Sequence, residues 1–331
     1  MPHKILNKIT STLFFILLLF STGYALASPQ SHRPSWRNWI LELRQEALAQ
    51  GIRPQLFDSV FHGLTPDKRL IRLDRRQPET RLTFLKYRNT RGDAYRIKLG
   101  RREYRRYRQL IDKIGKAYDV DPCFIVALWG IESSYGRYMG NYHVIRSLAT
   151  LAYDRRRSAF FRRELFYALH ILNEGHVNLK DFKGEWAGGS GHPQFLPSSW
   201  YNYAVDYNLD GYKDIWRTHS DVFASIANYL AKNGWQDGQP LAIAVNVPSN
   251  FDHHWVGYDY KKPVREWQHM GIRAKNGDSL PAGNLIASLV EPRGGPYLLV
   301  FNNFRVLLTW NRSTFYAGTV GYIADKICYR R

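Results

Sequence analysis

The chain has 331 residues, enough for a large hydrophobic core divided among more than one subdomain. Its formal net charge of +19, together with 22 tyrosines and 10 tryptophans, favours an anionic polymer as partner. Neither of its two cysteines, Cys123 and Cys328, stands near a histidine in the pattern of a thiol nucleophile or a zinc site, which argues against both classes.

The first 27 residues have the pattern of an export signal. Lys4 and Lys8 give a positive start, an apolar run covers residues 13–20, and Ala25 and Ala27 suit a signal peptidase. The run is too short for a membrane span, and no cysteine stands near the cleavage point to carry a lipid. We expect a periplasmic protein with a cleaved signal peptide, neither a lipoprotein nor membrane-spanning when mature; the alternative is an uncleaved anchor.

The mature chain begins with a predicted helical region, residues 28–118. Apolar residues at helical spacing predict a helix over 36–47 and a shorter one over 54–63. The polar stretch 65–95 contains two prolines and is predicted to be an extended connection. A long basic helix follows over 95–118, and its arginines are expected to form a solvated face.

The predicted catalytic core, residues 119–235, is also helical. Asp121 is a good N-cap and Pro122 suits the first turn, so a helix is predicted over 122–137. Further helices are predicted over residues 144–153, 158–174, 198–207 and 221–233.

After residue 236 the predicted structure changes to short strands. The segments LAIAVNVP, LIASLV and YLLVF are separated by Pro, Gly and Asn, which predicts a small β subdomain over 236–308. A final helix over about 313–328 places the C-terminal segment, 309–331, back in the helical core. The predicted fold class is therefore mainly α (α+β), with a small β insertion before the last helix.

Glu132 is the candidate catalytic residue. On the predicted helix it shares an apolar face, where burial favours the neutral carboxyl and raises its pKa. A carboxyl group that holds its proton near neutral pH is the general acid that glycosidic cleavage needs. Ser133 or Ser134 could hold the carboxyl, and the small Gly136 leaves room for a ligand. The alternative is a buried glutamate satisfied by an arginine or by backbone amides.

Five segments, in order, resemble the membrane-bound lytic murein transglycosylase B family. They are ALWGIESSYGRYMG, WAGGSGHPQFLPSSW, YNLDGYKDIW, DVFASIANYLAKNGW and WNRSTFYA. Together with similar helical segments nearer the N-terminus, they extend the resemblance over about residues 36–329. The resemblance implies a lysozyme-like helical core cut by a glycan groove.

The family's activity implies a reaction for Glu132. The substrate would be peptidoglycan, cut between N-acetylmuramic acid (MurNAc) and N-acetylglucosamine (GlcNAc) by one glutamate that acts first as acid and then as base. The base step closes a 1,6-anhydro ring on MurNAc. Ordinary retaining hydrolysis uses a second carboxylate about 5 Å away; the resemblance implies that the substrate's own N-acetyl group takes that place.

The resemblance also implies a set of groove residues. Gln194 matches a glutamine that hydrogen-bonds the sugar, while Asn311 and Tyr316 match a late groove motif. Trp310 replaces the usual tyrosine, which keeps stacking but removes the phenol hydroxyl. Core packing is the alternative for the two aromatic residues, and a backbone-satisfying amide is the alternative for Gln194. The predicted substrate-binding residues are Ser133, Tyr135, Gln194, Trp310, Asn311 and Tyr316.

The segment DYNLDGYKD resembles the start of a calcium loop, with Asp206, Asn208 and Asp210 at ligand positions. The position for the closing carboxylate holds Arg217, and Asp214 would substitute only in part. We therefore expect no tight metal site and no cofactor. The alternative is a turn held by its own Asp and Asn side chains.

Other functions stay open from the sequence. They are a hydrolytic muramidase, a non-catalytic peptidoglycan-binding protein of the same fold, and a nucleic-acid binder, which the export signal disfavours. The expected partners are peptidoglycan glycan strands and the cell-wall synthesis or remodelling machinery, with no nucleic acid. Cys123 and Cys328 could form a disulfide or remain buried thiols.

Overall fold

The computed structural model describes residues 34–75 and 82–328; the predicted signal peptide, 1–27, lies outside them. From Trp36 onward the chain forms one compact unit. Most of it is helical and a five-stranded sheet lies near its C-terminal end, so the predicted mainly-α class is confirmed. Within the described ranges, no helix is long and apolar enough to cross a membrane.

The N-terminal helices include two that the sequence analysis missed. The predicted extended connection over 65–95 is wrong, because α3 (Lys68–Arg75) and α4 (Phe84–Arg91) occupy much of it. Thr83 caps α4 by accepting a hydrogen bond from the Lys86 N–H, and Phe84 is buried against Phe315, so packing outweighs the polar composition. The helices are α1 (Trp36–Ala49), α2 (Pro54–Phe61), α3 (Lys68–Arg75), α4 (Phe84–Arg91) and α5 (Ala94–Tyr118).

The central helix α6 (Pro122–Ser133) is shorter than predicted. Its N-terminus is capped by Asp121, as the sequence suggested. Ser134, Tyr135 and Gly136 then take positive φ values of 51°, 62° and 77°, which end the helix and turn the chain away. The other central helices are α7 (Val144–Tyr153), α8 (Ser158–Asn173), α9 (Pro197–Tyr203) and α10 (His219–Lys232), with a small pair of strands, β1 (Tyr142–His143) and β2 (Lys183–Gly184).

The β subdomain contains five antiparallel strands: β3 (Ala242–Asn246), β4 (Lys262–Pro263), β5 (Arg273–Ala274), β6 (Ile286–Val290) and β7 (Tyr297–Val300). They form one sheet in the order β4-β6-β7-β3-β5. A short helix, α11 (Val264–His269), packs with it, and Trp267 is fully buried there.

Two helices, not one, follow the sheet. They are α12 (Asn302–Trp310) and α13 (Thr314–Cys328). The prediction kept 302–308 in the β subdomain because YLLVF reads as a strand. The strand ends at Val300, and Phe304 and Leu307 then lie on the buried face of α12.

Helix α6 lies at the centre of the largest apolar cluster. It packs against α5, α10 and α13, and its side chains from Ile125 to Trp129 are buried. A disulfide between Cys123 and Cys328 joins the start of α6 to the end of α13, which settles the pairing that the sequence left open. The end of α6 is therefore set against the C-terminal helices.

Candidate active site

Glu132 lies one residue before the end of α6 and faces the connection between α12 and α13. Its Oε1 accepts a hydrogen bond from the Trp310 indole N–H at 2.9 Å and another from the Tyr316 hydroxyl. Trp310 ends α12 and Tyr316 lies in the first turn of α13, so the two helices together present both donors. Glu132 is thus satisfied by neutral donors, in place of the arginine or backbone amides of the alternative reading.

The two donors leave the second carboxyl oxygen of Glu132 for chemistry. Because both hydrogen bonds go to Oε1, that atom acts as the acceptor of the group. A proton on the carboxyl therefore belongs on Oε2. The carboxyl group is enclosed by protein, although part of the residue's surface stays open.

Burial raises the pKa of Glu132 to about 7, which agrees with the direction expected from the sequence. The hydrogen bonds from Tyr316 and Trp310 and the positive charge of Arg91 lower the pKa and only partly offset the burial. The negative charge of Glu185 raises it slightly further. Near neutral pH the group can therefore exist in both forms, as a residue that is first acid and then base requires.

Ser133 and Tyr135 are buried, and among the described residues neither hydroxyl bonds to Glu132, so we withdraw them as substrate-binding residues. The Ser133 hydroxyl donates to the Trp129 carbonyl and accepts from the Gly136 N–H, so it closes the end of α6. The Tyr135 hydroxyl donates to the Arg96 carbonyl at 3.1 Å. Both residues are buried, and the assumption of a helix through residue 137 is the reason they were misplaced.

Gly136 leaves room for a protein side chain and not for a ligand. A Cβ atom built at Gly136 would lie 2.1 Å from Cε1 of His192, and its φ of 77° also favours glycine. Ser134, the other proposed partner of Glu132, is the left-handed residue that caps α6. The prediction that Gly136 opens a ligand space is therefore wrong.

The indole N–H of Trp310 donates the hydrogen bond that a tyrosine hydroxyl would donate at this position. The sequence analysis left a hydrogen bond at this position in doubt, and the structure supplies one to Glu132. The indole packs on Tyr229 and Phe195, with ring centroids 4.5 and 5.2 Å away. Tyr316 is buried at 4% exposure, so packing and hydrogen bonding occur together at both residues.

Gln194 lies in the loop after β2 with a positive φ of 51°. Its Nε2 donates to the carbonyls of Met139 and Gly191 at 3.0 and 2.7 Å, which ties the loop to the segment after α6. Its Oε1 is buried and has no hydrogen-bond partner within the described part of the chain. One end of the amide satisfies the backbone, and the other is a buried acceptor that the described chain leaves unpaired.

Asn311 is exposed, and within residues 34–75 and 82–328 no hydrogen bond joins it to Glu132. It caps the end of α12, and its Oδ1 accepts from the Ser313 N–H at 3.1 Å. It lies beside Trp310 at the edge of a cavity formed with the β subdomain.

The calcium-like segment is a turn held by its own side chains. Asp206 accepts from the N–H groups of Asp210 and Gly211, and Asn208 donates to Asp210 at 2.8 Å. Asp214 accepts from two backbone N–H groups that follow it. Over residues 34–75 and 82–328, no group of three or more His, Cys, Asp or Glu side chains is placed to hold a metal ion.

The sequence analysis missed His192, a buried residue of the loop after β2 that packs against Trp129 of α6. The Nδ1 of His192 accepts a hydrogen bond from the Trp129 indole N–H at 2.7 Å. Burial, helped by nearby His219, lowers the pKa of His192 to about 4, so the ring is neutral. The loop that carries Gln194 is thereby joined to the helix that carries Glu132. The motif GHPQF contained the residue, but only the fold brings Trp129 to it.

Comparison with known proteins shows that this chain is similar to transglycosylases. Residues 35–325 match the family model for the transglycosylase SLT domain. The chain is 28% identical over 297 residues to the membrane-bound lytic murein transglycosylase B of Escherichia coli strain K12, covering 84% of this chain and 79% of that protein.

Solved structures agree with the sequence match. SltB3 from Pseudomonas aeruginosa, in complex with NAG-anhNAM-pentapeptide, is 42% identical with a TM-score of 0.85, over 88% of this chain and 79% of that one. The Escherichia coli lytic transglycosylase Slt35 in complex with calcium is 26% identical with a TM-score of 0.77, over 89% and 93% of the two chains. Both structural matches extend over most of the compact unit that begins at Trp36.

Proposed function

Because this chain belongs to the transglycosylase SLT domain family and is a lytic transglycosylase, we propose that it cleaves the MurNAc–GlcNAc bond of peptidoglycan with Glu132 as its single acid and base. The observation that carries the assignment of Glu132 is its environment: an enclosed carboxyl, two neutral donors on one oxygen and a pKa near 7. The proposed product has a 1,6-anhydro-MurNAc end.

In the first step, Glu132 gives its Oε2 proton to the glycosidic oxygen as the bond from the MurNAc C1 carbon breaks. The bonding electron pair leaves with the oxygen, and the departing sugar becomes a free alcohol. The substrate's N-acetyl carbonyl oxygen stabilises C1, as the family resemblance implies. Hydrogen bonds from Trp310 and Tyr316 then stabilise the carboxylate that Glu132 has become.

In the second step, the same carboxylate takes the proton of the MurNAc 6-hydroxyl while that oxygen bonds to C1 and the N-acetyl oxygen leaves C1. Glu132 returns to its neutral form, and no water is consumed. A pKa near 7 suits both steps, because neither the acid nor the base is far from its working form. The hydrogen bonds that Trp310 and Tyr316 donate to Oε1 are kept through both steps.

The supporting role of Gln194 is to accept a hydrogen bond from the sugar near Glu132. Its Oε1 is a buried acceptor that the described chain leaves unpaired, while Nε2 fixes its orientation on two carbonyls. A sugar hydroxyl or amide N–H would satisfy it once the atoms that cover Oε1 move aside. Trp310 and Tyr316 contribute through Glu132, and Asn311 is proposed as a groove-edge residue.

The direct test is mass spectrometry of peptidoglycan after digestion by the purified enzyme. We expect muropeptides that are lighter by one water than reducing muropeptides and that resist borohydride reduction. Glu132→Gln is the control and should release none of them while still binding sacculi. Reducing ends would contradict the transglycosylase reaction.

A hydrolytic muramidase is the second candidate, because a second carboxylate is near. Glu185 lies close enough for its charge to raise the pKa of Glu132, and such a group could position a water. Glu185→Gln separates the two candidates: it should leave anhydro products unchanged, whereas a muramidase would lose its hydrolytic activity. A non-catalytic binding protein would release no product with any variant.

We place this reaction in the periplasm, on peptidoglycan glycan strands, with wall-remodelling machinery as the protein partner. The signal-like N-terminus and the net charge of +19 support that location. Cell fractionation tests it, since the mature chain should appear in the periplasmic fraction and should remain in the cytoplasm when residues 1–27 are deleted.

A further inference from the structure

The disulfide between Cys123 and Cys328 joins the two helices that meet at the catalytic carboxyl. Cys123 lies in the first turn of α6 and Cys328 ends α13, and their Cα atoms are 6.0 Å apart. At the opposite ends of the same helices, Tyr316 in the first turn of α13 donates a hydrogen bond to Glu132 near the end of α6. The two helices therefore run antiparallel, with a covalent bond at one end and a catalytic hydrogen bond at the other.

The disulfide and the catalytic hydrogen bond are linked through two continuous helices. An α-helix rises 1.5 Å per residue, so the disulfide lies about 14 Å from Glu132 along α6 and about 18 Å from Tyr316 along α13. The inner faces of both helices are buried in the same apolar cluster. Because close-packed interiors transmit displacements, a movement of α13 at the disulfide end appears at the catalytic end.

The hydrogen bond at the catalytic end tolerates little axial movement. Hydrogen bonds between oxygen atoms form at about 2.5–3.0 Å, so a slide of about 1 Å along the helix axis would weaken this one. Apolar contacts between α6 and α13 are non-directional, and they hold the helices together better than they fix the axial register. A disulfide has a fixed bond length and a narrow range of angles, so it does fix that register.

Helix α5 also holds the end of α13, without joining it to α6. The Nε of Arg101 donates to the Lys326 carbonyl at 2.8 Å. Ile327 packs closely on Gly100, where a Cβ atom would lie 2.5 Å from the Ile327 Cδ1. These contacts remain when the disulfide is absent, so its loss should loosen the register of α13 on α6 and should not separate the two helices.

We propose that Cys123 and Cys328 are positioning residues for the reaction, because their disulfide holds α13 in the register that keeps the Tyr316 hydroxyl on Oε1 of Glu132. The inference rests on the proposed function, in which Glu132 is both acid and base. Trp310 belongs to α12, which the disulfide does not join, so the second hydrogen bond to Glu132 is held separately.

The experiment measures the titration of Glu132 with and without the disulfide. Enzyme labelled with ¹³C at the glutamate side-chain carboxyls is compared as wild type and as the double variant Cys123→Ala, Cys328→Ala. The Tyr316 hydrogen bond lowers the pKa of Glu132, so weakening it should raise that pKa by a few tenths of a unit, less than its complete loss in Tyr316→Phe. The alkaline limb of the activity profile should move with it.

Two controls separate this effect from lost stability, which removal of a disulfide also causes. In the Tyr316→Phe background, removal of the disulfide should change the pKa of Glu132 no further. Leu43→Ala opens a cavity under α1, in a different apolar cluster, and should lower the melting temperature without moving that pKa. A shift in either control would overturn the proposal, and so would an unmoved pKa in the double variant.

Reduction of the folded enzyme gives the same comparison if the double variant does not fold. A small dithiol transfers two hydrogens to the two sulfur atoms, so the S–S bond breaks and the dithiol closes into its own cyclic disulfide. Cys328 is partly exposed and offers the point of attack. The pKa of Glu132 should rise on reduction and return on reoxidation.

An unchanged pKa in enzyme whose two thiols are shown to be free would contradict the positioning role. Failure of the proposed function is separately visible, because the wild-type enzyme with its disulfide intact would then yield no anhydro ends, whatever the titration of Glu132 shows.

Discussion

Helix α6 carries two aromatic-lined environments, one at Glu132 and one at Trp129, and the same physical effect has opposite consequences in them. At the first, burial raises the pKa of Glu132 to about 7; at the second, burial lowers the pKa of His192 to about 4. Removal from water disfavours the charged form of either group. Both groups are therefore driven towards neutrality.

Neutrality gives the two groups different roles. A neutral carboxylic acid holds a proton that it can transfer, and Glu132 keeps one oxygen free of the donors Trp310 and Tyr316 to do so. A neutral imidazole keeps a lone pair, and His192 uses it to accept the Trp129 N–H in a site that is 6% exposed. Part of the Glu132 residue stays exposed, while His192 is buried, so we assign chemistry to the first environment and a positioning role to the second.

Glu132 and His192 also make the free energy of unfolding depend on pH in opposite directions. Between about pH 4.5 and 7, folded Glu132 binds more protons than in the unfolded chain, so its contribution to stability falls as pH rises. Between about pH 4 and 6.5, folded His192 binds fewer protons than in the unfolded chain, so its contribution rises with pH.

The largest expected effect in this comparison is the loss of activity on replacing Glu132. Glu132→Gln keeps the shape and the acceptor on Oε1 but removes the transferable proton, so release of anhydro muropeptides should fall by about 10³-fold or more, in the upper range for general acid catalysis. Mass spectrometry of digested sacculi measures it. A variant that retained even a tenth of wild-type turnover would exclude Glu132 as the acid.

Next in size is the loss of stability on replacing His192. His192→Phe keeps the ring but leaves the Trp129 N–H buried without an acceptor, which should lower the free energy of unfolding by about 1–3 kcal/mol. Urea denaturation measures it. The double variant Trp129→Phe, His192→Phe removes both partners and should lose less stability than the sum of the two single variants. If the double variant is less stable than that sum predicts, the hydrogen bond is not the cause.

A smaller change is expected from Tyr316→Phe. The Tyr316 hydroxyl donates to Glu132 and lowers its pKa, so without it the pKa should move further above 7. The alkaline limb of the activity profile should shift upward by about one pH unit, with a lower maximum. Tyr104→Phe removes a hydroxyl bonded to Asp112 on α5 and is the control. An unmoved limb in Tyr316→Phe would mean that the hydrogen bond does not act on Glu132.

The smallest expected effect is on melting temperature. Because the enclosed carboxylate of Glu132 destabilises the fold above its pKa, Glu132→Gln should melt at a higher temperature than wild type at pH 8 and at a similar temperature at pH 4. Calorimetry at both values tests this. A variant less stable than wild type at pH 8 would show that the ionised carboxylate is well accommodated.

The comparison also separates what sequence reasoning could reach from what it could not. Glu132 stands out because it is an acid in an apolar helix, and the motifs around it identify the family and its fold. The end of α6 was predicted wrongly because Ser134 and Tyr135 take left-handed backbone conformations. Neither serine nor tyrosine indicates such a conformation in a sequence. Without that turn, Ser133 and Tyr135 were assigned to the groove.

The remaining misses depend on contacts between distant parts of the chain. Trp129 and His192 are 63 residues apart, and Trp310 lies 178 residues from Glu132, so no local pattern reports either hydrogen bond. Helices α3 and α4 were missed for a related reason. Their polar surfaces hide the few residues, such as Leu70 and Phe84, that anchor them to the rest of the fold.

The most direct test of this account is the titration of Glu132 itself. Enzyme labelled with ¹³C at the glutamate side-chain carboxyls should show one resonance, absent from Glu132→Gln, that titrates with a pKa near 7. That result would establish a carboxyl group that keeps its proton at the pH where the wall is cut. A resonance that titrates near the ordinary glutamate value of 4.5 would contradict the account, because the residue would then have no proton to give.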